Sequence, residues 1–337
     1  MIRAAVTFFI CALMLAPGAA HGGVAVTGGR YVMGTVLEAT IYAPDRATGG
    51  ALLEMAFAEA ARLDAMMTTY NDRSALMQLN RAAGEGGQRV PPELAELLAA
   101  ALGYSRLTRG TFDVTVGPLV SLWSSAASSY EAAELPDLSR ARALVGSEKI
   151  IVHNDATVEL ARAGMALDLS GIAKGYALDR IVAILCRRGV TRAYLSFGQS
   201  SIWALGAPPG ARGWTVALRD LAGGFSRSIR LHDRALSVSS SFSGAGRRRV
   251  AHVIDPRSGR PLVRDLEACV IASNATQAEA LSKALLILGG HDGIALIERQ
   301  TGTGALLLAA DGSAWTTSDW PRSTDSTTFE SAAASRR

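Results

Sequence analysis

Short runs with the two-residue apolar alternation of strands and longer runs with the helical period follow one another along this chain without an internal repeat. That order restricts the fold more than any other feature of the sequence. Val36 to Tyr42 reads as a strand and Ala51 to Met67 as an amphipathic helix. Pro92 and Glu93 open a helix that runs to Leu107 and stops before Gly110. Lys149 to His153, Thr157 to Leu160 and Ala166 to Leu169 look like three short strands, and Gly171 to Arg188 then carries the helical period with Gly189 as its stop. Strands are expected around Tyr194, Trp203, Val216, Ile229, Val238 and Val270. Asn274 and Gln277 have capping-box spacing for a helix reaching Leu288 and closed by Gly289, followed by a helix over 294–299 and a strand over 305–308. The expected class is α+β: mixed β-sheets with packed helices, rather than a purely parallel sheet.

Both ends differ from this body. Arg3, an apolar run from Ala4 to Ala16, Pro17 and a small-residue stretch have the pattern of an export leader cut after Ala20. The run is too short to span a bilayer, and no cysteine stands at the cut to carry a lipid; the alternative is an uncleaved N-terminal anchor. From Ser323 onward Ser, Thr, Ala and Arg dominate, which reads as a disordered tail. The chain therefore divides into a leader over 1–20, one domain over 21–322 and a tail over 323–337, with the mature protein expected in a bacterial periplasm. The net charge of +4 comes mainly from arginine, with lysines only at 149, 174 and 283, and no basic run is interleaved with aromatics, which disfavours nucleic acid as a partner. Cys11 leaves with the leader. Cys186 falls in a helical pattern and Cys269 in a strand pattern, so a disulfide and two buried free thiols are both open.

Polar and glycine-containing clusters interrupt the core pattern at the ends of expected elements, where side chains can be exposed without being buried. In Ala166-Leu-Asp-Leu-Ser-Gly-Ile-Ala-Lys-Gly-Tyr176, a strand ends in Asp168 and a glycine turn feeds a helix. Backbone N–H groups and the helix dipole can face a phosphate there, and Lys174 adds a point charge; an ordinary strand-to-helix turn with a surface lysine is equally compatible. It is neither a Walker loop nor a G-x-G-x-x-G turn. The stretch from Arg247 to Pro261 gathers His252, Asp255 and five arginines around a Pro and Gly turn. A histidine near a carboxylate can accept a proton from a hydroxyl, although a basic loop whose histidine caps a strand is the plainer reading. Thr108 to Leu119 and Tyr31 to Thr35 read as turns beside strands, and Tyr70 either stacks on a flat ring or joins the core. Glu279 and Lys283, four apart, share a helix face, for which a surface ion pair is the default. The motifs G-x-S-x-G and H-E-x-x-H are missing, and His153-Asn-Asp155 reads as a turn.

Met-Gly-Thr at 33–35, Thr-Phe-Asp-Val-Thr-Val-Gly-Pro-Leu at 111–119, Asp-Leu-Ser-Gly-Ile-Ala-Lys-Gly-Tyr at 168–176 and His-Val-Ile-Asp-Pro-Arg-Ser-Gly at 252–259, in that order, resemble the FAD:protein FMN transferase (ApbE) family. The resemblance implies a T-fold-related architecture and a Mg2+-dependent phosphoryl transfer, in which a Thr or Ser hydroxyl of an exported acceptor protein attacks the FMN phosphorus of FAD and AMP leaves. By that resemblance Met33, Tyr70, Thr111, Phe112, Asp113, Asp168, Lys174 and Ile254 match flavin or nucleotide contacts. Gly171 matches a metal contact through its backbone oxygen, His252 is the candidate base, and Asp255 orients its loop. Three places depart from the commonest pattern. Ser196 to Ser201 replaces a loop with Asn and a Gly-Gly pair, Ser237 to Ser241 replaces Thr-Ser-Gly, and Glu279 and Lys283 stand where metal-binding Asp and Thr are usual. Glutamate can still ligate Mg2+, but a lysine ammonium has no lone pair to offer. Glu279 is therefore expected to be either a weakened ligand or the salt partner of Lys283, which would supply charge in place of the ion. Two other activities remain compatible: a non-catalytic FAD-binding or storage protein, and an FAD pyrophosphatase releasing FMN and AMP.

Overall fold

The computed structural model describes residues 23–125, 137–219, 225–243 and 250–321. The expected leader, the whole of the expected tail and Arg247 to Arg249 lie outside the described residues.

Eight strands form the main sheet: β1 (Val24–Val32), β2 (Thr35–Ala43), β3 (Ala193–Phe197), β4 (Ser201–Leu205), β5 (Arg234–Ser240), β6 (Leu266–Ala272), β7 (Gly304–Ala309) and β8 (Ala314–Thr316). They lie side by side in chain order, and every neighbouring pair is antiparallel. Such a meander needs no parallel crossover, so the helices enter as insertions between neighbouring strands. Between β2 and β3 come α1 (Arg46–Met67), α2 (Ala75–Arg81), α3 (Pro92–Leu107), α4 (Gly117–Ser125), α5 (Leu138–Ala143) and α6 (Ala173–Arg187), and between β6 and β7 come α7 (Ala275–Leu288) and α8 (Gly290–Glu298). A small three-stranded sheet pairs 88–89, 157–160 and 150–152, and a separate antiparallel ribbon pairs Trp214–Arg219 with Phe225–Leu231.

Because side chains alternate across a strand, the central strands of the sheet serve two cores, one on each face. On one face Leu37, Ala39 and Ile41 of β2 and Leu195 and Phe197 of β3 pack with the helices. On the other, Ile202, Leu236, Cys269 and Leu306 meet Trp214, Val216 and Ile229 of the ribbon. The molecule is thus three layers: helices, sheet, ribbon. A fully buried side chain such as Phe197 contributes about 1.5–3 kcal/mol to holding them together.

The sequence-based expectations hold for most elements. α3 has the expected bounds, and α1 starts five residues earlier because Asp45 caps it, its carboxylate accepting from Thr48 N at 2.7 Å. Asn274 caps α7 by accepting from Gln277 N at 2.8 Å, but the Gln277 side chain reaches towards Thr303 instead of back to Asn274, so only half of a capping box forms. Gly189 and Gly289 stop their helices with φ of 80° and 82°. His153-Asn-Asp155 lies in the turn between two strands, as expected.

Three expectations need correction. Ala166 to Leu169 is extended but belongs to no sheet; its backbone is bonded instead by the Asn80 side chain, by Val114 O and by Gly117 N. The helix expected from Gly171 begins at Ala173, since Asp168 and Ser170 spend their polar groups on the preceding turn. Of the two thiols, both free, Cys269 is buried but Cys186 is exposed on the last turn of α6.

Candidate active site

The first turn of α6 is held against the start of α7 by close packing. A Cβ on Gly175 would lie 2.4 Å from Ala275 O and 2.9 Å from Cγ of Glu279, so only glycine lets the two helices approach this far. One turn further along α6, Asp179 accepts from Ala275 N at 2.7 Å, Thr276 N at 2.8 Å and Trp203 Nε1 at 2.8 Å, and from the Thr276 hydroxyl. A carboxylate is favoured at the positive end of α7, while its burial pushes the Asp179 pKa up. Asp179 thereby ties α6, β4 and α7 together beside the glycine contact.

That packing brings Lys174, Glu279 and Lys283 to one place. Glu279 is 1% exposed at its side chain and Lys283 23%. One oxygen of Glu279 accepts from the Ser201 hydroxyl and the other from Lys283 Nζ at 3.0 Å. Lys174 donates to the Ser200 hydroxyl at 3.2 Å, and Ser200 in turn donates to Phe197 O at 3.2 Å. Ser200 ends the three-residue β3–β4 hairpin loop, in which Gly198 and Gln199 have φ of 53° and 62°, and Ser201 is the first residue of β4. Burial, and after it the neighbouring charge of Lys174, push the Lys283 pKa down; the Glu279 carboxylate opposes both. Ser282 makes no bond to the Glu279 carboxylate: its hydroxyl donates to Glu279 O at 2.9 Å and meets those of Ser237 and Ser239 at 3.0 and 2.9 Å.

The segment over 111–117 backs the turn that starts α6. Val114 O accepts from Asp168 N at 2.8 Å, Asp168 Oδ1 accepts from Ser170 N at 2.8 Å, and Gly171 lies against the ring of Phe112. Thr111 is buried and donates to Thr108 O at 2.9 Å. The Asp113 carboxylate is fully engaged inside the protein, accepting from Thr115 N at 2.9 Å, Thr115 Oγ1 at 2.6 Å, Ser147 N at 2.9 Å and Ser105 Oγ at 3.3 Å. Tyr104 stands edge-on to Phe112, and burial pushes its phenol up to about 12.

The His252 segment approaches from β5. Backbone N–H of His252 donates to Ser241 O at 3.3 Å, directly after the strand whose Ser237 and Ser239 meet Ser282, and the histidine itself is exposed. Ile254 and Asp255 pair with Pro261 and Arg260 to close a hairpin. Asp255 accepts from Arg257 Nε and Nη2, both at 3.0 Å, and from Arg257 N at 3.0 Å. Gly259, with φ of 73°, accepts from Trp123 Nε1 of α4 at 2.8 Å. Asp255 thus organises the turn and Trp123 fastens it to the helix that follows the 111–117 segment. Met33 sits at φ 52° in the two-residue β1–β2 turn, its N–H donating to Asp64 at 3.0 Å. Tyr70 follows α1 and is 98% exposed, so it is a surface ring and not a core aromatic.

The sequence singles out the 196–201 segment but assigns no role to Ser200 or Ser201, and Asp179 and Asn80 go unmarked in it. A carboxylate four residues after Gly175, on the buried face of α6, was the one available signal among them. The Mg2+ that the resemblance implies does not suit the residues found here. Both oxygens of Glu279 already accept hydrogen bonds, one of them from an ammonium, and Lys283 puts a fixed cation where a second ligand would be needed.

A model of the ApbE family matches residues 33–307. The FAD:protein FMN transferase of Treponema pallidum (strain Nichols) is 30% identical over 305 residues, covering 83% of this chain and 83% of its own. That of Escherichia coli (strain K12) is 26% identical over 331 residues, covering 94% and 93%. Among solved structures, flavin transferase ApbE from Vibrio cholerae shares the fold with a TM-score of 0.77 at 24% identity, over 88% of this chain and 98% of its own. Pseudomonas stutzeri flavinyl transferase ApbE in its apo form gives 0.77 at 26% identity, over 90% and 98%. With most of its length matched in sequence and in fold, this chain belongs to the ApbE family.

Proposed function

We propose that the chain is an FAD:protein FMN transferase. The supporting observation is the meeting of Lys174, in the first turn of α6, with Ser200, Ser201, Glu279 and Lys283: two ammonium groups against one carboxylate leave net positive charge where a diphosphate can sit. The chain-long similarity to transferases of that name gives the charge its substrate.

In this reading the protein does little covalent work and acts by positioning. The hydroxyl oxygen of a Thr or Ser on the acceptor bonds to the FMN phosphorus as the bond from that phosphorus to the bridging oxygen breaks. The hydroxyl proton passes to the His252 imidazole, and AMP departs carrying the bridging oxygen. The Asp255–Arg257 pair fixes the loop that carries His252, and Lys174 steadies the phosphate charge. Tyr70 and Met33 offer apolar surface to the flavin ring. The leader pattern over residues 1–20 supports export, which makes the acceptor an exported protein as well.

The test is to incubate the purified chain with FAD and an extract of the host's exported proteins, then look for a flavin-fluorescent band after denaturation and for AMP by chromatography. A fluorescent acceptor band with matching AMP is the expected result, and His252→Ala should reduce its rate by about 10²–10⁴-fold. A specific observation favours one alternative: the pairing of Glu279 with Lys283, where a metal ligand is expected, suits an FAD-binding protein that does not transfer. FAD retained through purification, with neither a band nor AMP, would establish that alternative; FMN and AMP released without a band would indicate a pyrophosphatase.

A further inference from the structure

The cluster on α6 and α7 is complementary to an anion and hostile to a cation. Glu279 is buried and already holds two hydrogen-bond donors, the Ser201 hydroxyl and the Lys283 ammonium. Ser282, beside Lys283 on the same helix, is committed to Glu279 O, Ser237 and Ser239. Lys174 comes from the neighbouring helix, with the Ser200 hydroxyl as its contact. A divalent ion entering here would meet two ammonium groups and a carboxylate already paired with one of them. A diphosphate would meet two cationic donors, each able to form short charge-assisted bonds.

We propose that this chain binds the diphosphate of FAD through Lys174 and Lys283 together, with Lys283 in the role of a divalent cation, so that binding needs no metal ion. The inference rests on the reading of FAD as substrate. The burial that lowers the Lys283 pKa, and the repulsion from Lys174, are relieved when an anion lies between the two. Glu279 holds the Lys283 ammonium in place by the i, i+4 contact, and Gly175 sets the helix spacing that brings Lys174 near.

Titrating the full mature chain with FAD, followed by flavin fluorescence and by calorimetry, tests this directly. One arm contains excess EDTA and the other millimolar Mg2+. The wild-type dissociation constant is expected to agree within about twofold between the arms, and Lys283→Met to weaken binding in EDTA by about tenfold or more, with Lys283→Arg restoring most of the loss. Wild-type binding that appears only with Mg2+ overturns the inference while leaving FAD as the ligand. So does a folded Lys283→Met protein that binds in EDTA as tightly as the wild type. Failure of the wild type to bind FAD in either arm defeats the FAD reading itself, and this inference with it. The comparison between arms needs no variant, so a Lys283 substitution that fails to fold leaves it decisive.

Discussion

Single side chains at the α6–α7 junction have distinct duties, and substitution separates them. Lys174 lies in the first turn of α6 with one hydroxyl partner, so Lys174→Met should leave the melting temperature nearly unchanged while weakening FAD binding about tenfold, measured by fluorescence titration. Asp179 is the reverse case. Its carboxylate satisfies two N–H groups at the start of α7, the Thr276 hydroxyl and the Trp203 indole, so Asp179→Ala strands buried donors and should cost about 2–4 kcal/mol in denaturant unfolding. Asp168, Lys174 and His252 stand out in the sequence as candidates because they sit in distinctive runs. The sequence also left open whether Glu279 is a ligand or a salt partner, and the structure pairs it with Lys283 and Ser201. The role of Ser201 could not have been foreseen: its hydroxyl matters only because the start of β4 meets α7, 78 positions further along the chain.

At the scale of elements, strong apolar periodicity made α1, α3, α6 and α7 legible, together with the central strands. Elements with weak patterns were missed. The glycine pair at 28–29 breaks the apolar pattern of the continuous strand β1, and α2 and α5 are only seven and six residues long. The extended run over 166–169 was misread as a strand because it has the alternation of one; its partner is the Asn80 side chain, accepting from Leu167 N at 2.7 Å and donating to Leu167 O at 3.0 Å. Asn80→Ala removes both bonds and should destabilise the protein by about 1–3 kcal/mol, with a loss of FAD affinity as the Asp168 turn slackens. Gly175→Ala sets two effects against each other. Helix propensity favours alanine by about 1 kcal/mol, but the added Cβ would lie 2.4 Å from Ala275 O, and neither helix backbone can yield cheaply. Overpacking should prevail, for a net loss of about 1–3 kcal/mol read as a lower melting temperature.

Across the whole molecule, the helical layer is joined at its surface as well as its core. Glu93 of α3 accepts from Arg62 of α1 at 2.7 and 2.8 Å and from Arg180 of α6 at 3.0 Å, and the Arg62 hydrogen bond leads in holding its carboxyl below the usual range. A carboxyl with a lowered folded-state pKa stabilises the fold above its ordinary pKa, and that contribution is lost as pH falls through the folded value. The wild type should therefore exceed Glu93→Gln by about 1 kcal/mol near neutral pH, and the gap should close as pH drops below about 4, as followed by melting temperature across a pH series. The three-layer plan follows from the alternation along the strands, but the sequence did not disclose that all eight main-sheet strands lie in chain order, because the 149 residues from 44 to 192 intervene between the paired β2 and β3. That insertion carries Lys174, whereas Glu279, Lys283 and His252 come from later strand connections, so the proposed site exists only when the sheet closes them together. A crystal structure of the chain soaked with FAD tests this most directly. The diphosphate should lie within hydrogen-bond reach of both Lys174 Nζ and Lys283 Nζ, with the His252 imidazole on the same side as the FMN phosphorus. A dinucleotide bound away from the two lysines, or a His252 ring more than about 10 Å from that phosphorus and so beyond one bridging water, would contradict the account.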